Sequence, residues 1–549
     1  MNKKIWHNSY PSFVPPEIEI EKISLGEIMH RTAERFAKKT VFIFLGSDMS
    51  YQELDQHSNR FANVLRKLGI EKGDRVATLL PNCPQMIFGY HGIWRTGAVV
   101  VPCNPTYTDS ELEYQLNNSG ATVLLTIDAL SPRMLALRPK TKVKTIITTH
   151  LNDYLPPSIK EKVPSVPFQR DIDHYELLNL MGSEPCEYNP TYAAWDETSM
   201  IIYTGGTTGL PKGAVLTVGN NSSAAQITRA WYANLDENEV SLGVFPFFHI
   251  GGFNGALNST LSKGWTMVLM PKPDVKEMFE LIMKYRISMV AAVPTLLIQM
   301  IQLPEWKTAD KTFIKYFLSG AAPVPAAVID KLSKDTGCGM VEQAGMTETS
   351  GINNIVPVTG PFKPGSCGVP PSNMETRIVD IETGEREMPV GEDGEILHRG
   401  PHVMKEYYNK PEETATALRN GWLYTGDIGH MDEDGYLYIV DRKKDMILSG
   451  GNNIYPRDID EVLLKHPKIS QVCTVGVPDE QMGEKVKAFV ILKPGETATF
   501  EELTAYCKTH LARYKIPKAY EFVDNLPMNA AGKTLRYILR QQEMEKASK

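Results

Sequence analysis

Tyr203-Thr204-Gly205-Gly206-Thr207-Thr208-Gly209-Leu210-Pro211-Lys212-Gly213 follows a short apolar run at 200–203. Glycines let backbone N–H groups turn toward an anion, threonines add hydroxyl donors, and Lys212 adds a positive charge, so the loop is suited to holding a polyphosphate. It is not a Walker A loop, which needs Gly-Lys followed by Ser or Thr; here a proline precedes the lysine. The bland reading is a flexible glycine-rich turn. Three threonines and a lysine in this order argue against it.

Outward from that loop, short apolar runs alternate with helix-like segments over residues 25–340. The pattern predicts a helix over 61–68, a strand over 74–80, a helix over 84–96 and a strand over 99–102. Such alternation marks α/β units around a largely parallel sheet. The most apolar long run, 287–303, is interrupted by Ser288, Pro294, Gln299 and Gln302 and falls short of the ~20 apolar residues of a membrane span. It reads as a buried strand, 288–293, followed by a helix opening at Pro294. Between 360 and 440 the text becomes turn-rich, as in Lys363-Pro364-Gly365-Ser366 and Asp432-Glu433-Asp434-Gly435, and short β-strands joined by tight turns are expected. After the charged run 441–445 a fresh α/β pattern begins: a helix from Pro456, strands over 472–477 and 486–492, and a helix from Phe500. The natural division is a large domain, 1–441, and a small C-terminal domain, 442–549.

A chain of 549 residues is too long for one hydrophobic core, in keeping with that division. The formal net charge of -7 argues against a nucleic-acid partner, which usually meets a basic face. Seven scattered cysteines (83, 103, 186, 338, 367, 473 and 507) suggest neither a disulfide framework nor a zinc knuckle, and they fit a reducing cytoplasm. The start, MNKKIWHNSYPSF, has no apolar stretch after its lysines, so neither a secretory signal nor a transmembrane segment is expected.

Three further clusters carry chemistry. Gly345-Met346-Thr347-Glu348-Thr349 follows a strand expected around 339–342 and sets one carboxylate between two hydroxyls. Magnesium prefers oxygen ligands and usually takes one or two carboxylates beside phosphates, although such a cluster standing alone is more often a helix N-cap. In Tyr424-Thr425-Gly426-Asp427 an acidic residue held in a tight turn suits both hydroxyls of a ribose; alone it is an ordinary Gly-Asp turn. Gly532-Lys533 lies on the loop 527–536, where a single lysine is ordinarily a solvated surface residue.

Taken in order, these elements resemble the adenylate-forming superfamily that contains acyl-CoA synthetases, peptide-synthetase adenylation domains and firefly luciferase. The matching elements are the phosphate loop at 204–213, Pro246-Phe247-Phe248-His249, Ser319-Gly320-Ala321-Ala322-Pro323, Gly345-Met346-Thr347-Glu348, Tyr424-Thr425-Gly426-Asp427, Asp441-Arg442 and Gly532-Lys533, across residues 25–540. The resemblance implies an α/β fold: a large N-terminal domain of parallel-type sheets with helices and a small β-barrel-like subdomain, and a smaller mobile α+β C-terminal domain. It implies that Thr204, Gly205, Gly206, Thr207, Thr208, Gly209 and Lys212 hold the β- and γ-phosphates of ATP. Thr347 would meet the α-phosphate and Glu348 the Mg²⁺, while Asp427 would bind the ribose with Arg442 close by. Gly320, Ala321, Ala322, Ala344, Gly345, Met346 and Ile439 would complete the nucleotide site. Lys533 would bridge the substrate carboxylate and the α-phosphate, and His249 would sit where the acyl pocket meets the nucleotide; alone, that histidine reads as a core residue.

The reaction so implied is attack of a carboxylate on the α-phosphorus of ATP, followed by transfer of the acyl group to coenzyme A. Positioning and charge neutralisation by Lys212, Lys533, Arg442 and Mg²⁺ are its main demands. No Gly-x-Ser-x-Gly elbow or His-Glu-x-x-His motif competes with this reading. Relatives rotate the C-terminal domain between the two steps, which places the hinge at Lys444 and brings Gly450 and Gly451 to the site as a passage for the pantetheine arm. Read alone, that double glycine is a turn before the Pro456 helix.

Two positions depart from the family pattern. Ala344 stands where most relatives carry an aromatic that stacks on adenine, and Gly205 replaces a common serine. If the acyl pocket follows the family, it is bordered by 249–255 and 319–323, which are rich in small residues and carry no formal charge; that suits a medium- or long-chain fatty acid, and an aryl acid such as a cinnamate fits too. A luciferase-type oxygenase shares the same elements, and a catalytically silent nucleotide-binding protein is the contrasting class, with Ala344 as its hint. An adenylation module normally precedes a carrier domain, for which the residues after Lys533 leave no room. The expected partners are small molecules: a carboxylic acid, ATP and coenzyme A. Transient contact with a membrane surface and a homo-oligomer are both compatible with the sequence.

Overall fold

The structure, a computed structural model, describes residues 4–204, 211–320, 324–359, 363–450, 452–479, 481–528 and 534–547. The chain separates into two compact units. Over the described residues, the first takes in 1–204, 211–375 and 399–421, and the second 376–398 and 422–549.

The first unit contains two eight-stranded sheets, counted over the described residues. One is built on the parallel strands Arg75–Leu79, Val99–Pro102, Val123–Ile127, Thr145–Thr149, His174–Glu176 and Thr198–Tyr203. Gly213–Thr217 then returns antiparallel to Thr198–Tyr203, and the short strand Glu406–Tyr407 pairs antiparallel to Gly213–Thr217 at the edge. The other sheet runs in the order Asn354–Ile355, Gly339–Ala344, Tyr316–Gly320, Met289–Ala291, Val240–Gly243, Thr266–Leu269, Thr40–Phe44, Ser47–Ser50, with antiparallel pairing at its two edges. Central strands such as Val99–Pro102 are buried along their whole length, which is why they read as continuous apolar runs.

Local signals account for many boundaries. The helix Pro84–Arg95 opens with proline at its first turn, where the missing N–H is no loss. The run 287–303 divides into a strand, Met289–Ala291, and a helix, Pro294–Met300, again opened by proline. The helix expected over 61–68 is longer, Tyr51–Lys67, because Ser50 accepts from the Glu53 N–H while Glu53 reaches back, a capping box that starts the helix earlier.

In the second unit, Gly394–Arg399, Trp422–Met431 and Leu437–Arg442 form an antiparallel ladder. The turn between the last two is closed by Gly435 N–H to Asp432 C=O (3.0 Å) and Asp434 N–H to Asp432 Oδ1 (3.0 Å). A second sheet pairs Ile469–Asp479 antiparallel to Gly483–Leu492, flanked by Ile447–Ser449 and the parallel strand Ala519–Phe522. The helices Pro456–Leu464 and Phe500–His510 bury Ile459, Leu463, Leu503 and Cys507 in a core shared with Val472, Val486 and Val490. Both sheet strands extend beyond the spans read from the sequence, since the alternation continues into polar residues paired across the hairpin.

Candidate active site

In the first unit strand Thr198–Tyr203 and strand Gly213–Thr217 flank the expected phosphate-binding segment. Thr204 N–H donates to Lys212 C=O (2.9 Å), closing the base of the loop. Gly205, Gly206, Thr207, Thr208 and Gly209 lie outside the described residues, as do Ala321, Ala322, Gly451 and Lys533. Lys212 Nζ lies 5.0 Å from the centre of the Tyr407 ring.

The turn after strand Gly339–Ala344 is tightly built. A Cβ on Gly345 would lie 1.9 Å from Gly351 C=O, so only glycine fits there. Gly351 N–H donates to Met346 C=O (3.0 Å), Asn353 N–H to Ala344 C=O (2.8 Å), and Met346 N–H to Asn353 Oδ1 (3.2 Å). Ser350 (φ 52°) and Gly351 (φ 84°) take left-handed conformations that turn the chain back. Within this turn Thr347–Thr349 form one 3₁₀ turn that holds Glu348 buried. Tyr407 Oη donates to Glu348 Oε1 (2.6 Å), and Met404 N–H donates to Glu348 C=O (2.7 Å).

His249 follows the segment 243–247, which Asn82 clamps: its Nδ2 donates to Gly243 C=O (3.0 Å) and Phe245 C=O (2.8 Å), and its Oδ1 accepts from Phe247 N–H (2.9 Å). Desolvation lowers the pKa of the His249 imidazole from its ordinary value, favouring the neutral form. Residues Gly251–Asn258 then form a π-helix, a form found frequently at functional sites. Gly252 has no room for a side chain, since a Cβ would lie 2.2 Å from Pro246 C=O. Asn254 Nδ2 donates to Ser350 C=O (2.7 Å), tying this helix to the Gly345 turn. Gly320 pairs with Gln343, and a Cβ on Gly255 would lie 2.9 Å from Gln343 Oε1. Thus Thr204, Lys212, His249, Gly320, Ala344, Gly345, Met346, Thr347 and Glu348 belong to one compact unit.

In the second unit Asp427 and Arg442 are register partners on neighbouring strands, with Arg442 Nε 3.0 Å from Asp427 Oδ1. The tight turn expected here is instead an irregularity within strand Trp422–Met431: pairing with Gly394–Arg399 shifts register between Tyr424 and Ile428, where Gly426 takes φ 71°, and Thr425 Oγ1 donates to Ile396 C=O (2.7 Å) while accepting from Asp427 N–H (3.0 Å). Thr425, Gly426, Arg442, Lys443 and Lys444 line a cavity of about 300 Å³. Lys443 Nζ is held by the buried Glu395 (2.8 Å). Ile439 C=O accepts from Arg457 Nη1 (2.7 Å), and Asp441 Oδ2 accepts from Arg457 N–H (2.9 Å), so strand Leu437–Arg442 is tied to helix Pro456–Leu464. Burial raises the Asp441 carboxyl pKa, opposed by the Arg457 N–H and the Arg536 charge. Gly450 (φ 55°) donates its N–H to Met482 C=O (2.8 Å).

Tyr407, Asn82, Gln343 and Arg457 had no signal in the sequence motifs. Tyr407 lies in the stretch 360–440, where short strands were expected but no site residue was read at this position, and Asn82 acts over a separation of 165 residues to Phe247.

Two parallel-stranded α/β sheets and a smaller unit of antiparallel strands with helices make up an adenylate-forming fold. The AMP-binding enzyme family model matches residues 29–408, and the AMP-binding enzyme C-terminal domain model matches 458–533. The chain belongs to the AMP-binding enzyme family. A long-chain-fatty-acid–CoA ligase of Bacillus subtilis (strain 168) is 40% identical over 554 aligned residues, covering 99% of each chain. A ligase of the same description from Escherichia coli O6:H1 is 34% identical, covering 98% of each. Among solved structures, ATP-bound MatB from Rhodopseudomonas palustris superposes with a TM-score of 0.85 at 29% identity, covering 95% of this chain and 99% of that one.

Proposed function

We propose that this protein is an AMP-forming acyl-CoA ligase. It converts a medium- or long-chain fatty acid and ATP to an acyl-adenylate and pyrophosphate, then transfers the acyl group to coenzyme A with release of AMP. The full-length likeness to the Bacillus subtilis long-chain-fatty-acid–CoA ligase carries the reading.

The chain's own residues serve the first step by neutralising charge, because nucleophile and phosphate are both anionic. Lys212 faces the β- and γ-phosphates, Thr347 donates to the α-phosphate, and Lys533 bridges the acid's carboxylate and the α-phosphate. Asp427 accepts hydrogen bonds from the ribose hydroxyls, with its other interactions set by Arg442. A buried carboxylate whose Oε1 is already engaged by Tyr407 suits Mg²⁺, which takes one or two carboxylates beside substrate phosphates. Bound there, Mg²⁺ supplies charge neutralisation on the phosphate oxygens. His249, kept neutral by desolvation, stands at the acyl entrance. Ala344 presents a methyl group where a stacking ring is usual.

For thioester formation the C-terminal domain, residues 442–549, turns about Lys444 and brings Gly450 and Gly451 to the passage for the pantetheine arm. The enzyme works in the cytoplasm. No helix of the described residues is long and apolar enough to cross a membrane.

The test is AMP and pyrophosphate formation by the full chain with Mg-ATP, with and without coenzyme A, across short, medium and long fatty acids and a cinnamate. AMP release that needs both an alkyl acid and coenzyme A, and that Lys533→Ala abolishes at the adenylation step, is the expected result. ATP binding without AMP formation from any acid would leave a silent nucleotide-binding protein instead.

A further inference from the structure

We propose that Tyr407 is a positioning residue that holds Glu348 and Lys212 in one arrangement for Mg-ATP. The inference rests on the reading of Glu348 as the carboxylate that takes Mg²⁺, and it assigns a role to a side chain outside every motif named above.

Tyr407 is buried, 8% exposed, and sits on the edge strand Glu406–Tyr407, opposite Ala214 on the strand that leaves the phosphate loop. Its backbone is fixed from three directions. Lys405 N–H donates to Val215 C=O (3.0 Å) and Tyr408 N–H to Gly213 C=O (2.7 Å), which ties the segment to the loop exit. Met404 N–H donates to Glu348 C=O (2.7 Å), which ties it to the Gly-Met-Thr-Glu turn. Tyr407 N–H donates to Thr414 Oγ1 (2.9 Å), which fixes it to the following helix, Pro411–Ala417.

On this fixed backbone the side chain's contacts include two of different kinds. The phenol donates to Glu348 Oε1 at 2.6 Å, a separation in the range of an O–H to carboxylate bond. A carboxylate has two oxygens, so this bond sets its rotation and leaves Oε2 for a cation. The ring face lies 5.0 Å from Lys212 Nζ, within cation–π range, which holds the ammonium at the loop exit. One tyrosine thus sets both an acidic and a basic member of the expected phosphate site. Groups that orient a metal ligand commonly change metal affinity by roughly 10- to 100-fold when removed. A tyrosine that merely fills the core would affect stability alone.

The experiment is calorimetric binding of ATP to the full-length protein in EDTA and at rising Mg²⁺, with thermal unfolding as a check on folding. Tyr407→Phe removes the hydroxyl and keeps the ring, so its Mg²⁺ requirement should rise by roughly 10-fold while metal-free ATP affinity holds. Tyr407→Leu removes the ring as well, and metal-free ATP affinity should fall too. Equal ATP binding by Tyr407→Phe and the natural protein at every Mg²⁺ concentration overturns the proposal. So does an equal loss with and without Mg²⁺. Glu348→Gln separates the two levels: if it leaves the Mg²⁺ dependence intact, the reading of Glu348 falls and this inference with it. If Glu348→Gln abolishes that dependence and Tyr407→Phe does not change it, only the role of Tyr407 falls.

Discussion

Arg442 Nε lies 3.0 Å from Asp427 Oδ1, and the two residues face each other on adjacent antiparallel strands. The guanidinium holds the buried carboxylate in one rotamer and leaves Oδ2 to accept from a ligand hydroxyl. Asp427→Ala removes that acceptor and releases Arg442. Hydrogen bonds to charged groups contribute about 1.5–3 kcal/mol, so kcat/KM for ATP should fall roughly 10- to 150-fold. Steady-state kinetics with varied ATP, alongside an unchanged unfolding midpoint, checks it.

Gly345 and Gly251 make a paired test of the turn that carries Glu348. A Cβ at 345 would lie 1.9 Å from a backbone oxygen of Gly351, whereas one at 251 meets nothing within 4 Å. Forcing atoms into a filled site costs about 1–3 kcal/mol, and here the obstacle is backbone that other hydrogen bonds fix. Gly345→Ala should lower the thermal midpoint and abolish AMP formation together. Gly251→Ala should leave stability within about 0.5 kcal/mol. Loss of activity by Gly345→Ala with no structural change would mean the glycine serves the nucleotide directly.

What the sequence disclosed and what it hid follow one physical division. The strand Val99–Pro102 and the helix Pro84–Arg95 were legible because burial period and a proline at the first turn are local signals. The Gly345 turn was legible as a motif, although the reason for its glycine is contact with Gly351, visible only in three dimensions. A short strand such as Glu406–Tyr407 was expected between 360 and 440, but its pairing was hidden because its partner, Gly213–Thr217, is remote in sequence. Asn82 was hidden for the same reason: nothing near it announces that its amide will hold 243–247. The π-helix Gly251–Asn258 read as a run of small pocket-lining residues, because π geometry has no period that its glycines could display.

Two buried histidines give the fold an acid sensitivity of known sign. Burial lowers the imidazole pKa of His91 to about 3, helped by Arg95, and that of His402 to about 4. In the unfolded chain both titrate near ~6.5. Above that value both states are neutral and the full stability is present. Below it the unfolded state binds protons that the folded state refuses, so stability falls by roughly 1.4 kcal/mol per pH unit for each histidine until the folded pKa is reached. Urea midpoints measured from neutral pH down to about 5 should decline, and His402→Gln, although less stable at neutral pH, should show a slope shallower by about one proton. An unchanged slope would mean that His402 is charged in the folded protein.

Gln343 gives the last prediction, on acyl selectivity. Its strand partner is Gly320, and its side chain reaches the π-helix so closely that a Cβ on Gly255 would lie 2.9 Å from its Oε1. Both glycines belong to the expected pocket wall, so Gln343 occupies space that an acyl group would otherwise enter. Its Nε2 is buried with no hydrogen-bond partner among the described residues, an arrangement that is unfavourable unless a ligand oxygen satisfies it. Gln343→Ala removes the amide and opens the wall. A methylene's worth of pocket space is worth about 1–3 kcal/mol, so the ratio of kcat/KM for cinnamate or a branched acid over octanoate should rise roughly 10-fold or more. Competition between these acids in one reaction reads that ratio directly, free of differences in enzyme concentration. If the ratio does not move while total activity falls, Gln343 supports the strand and takes no part in choosing the acid.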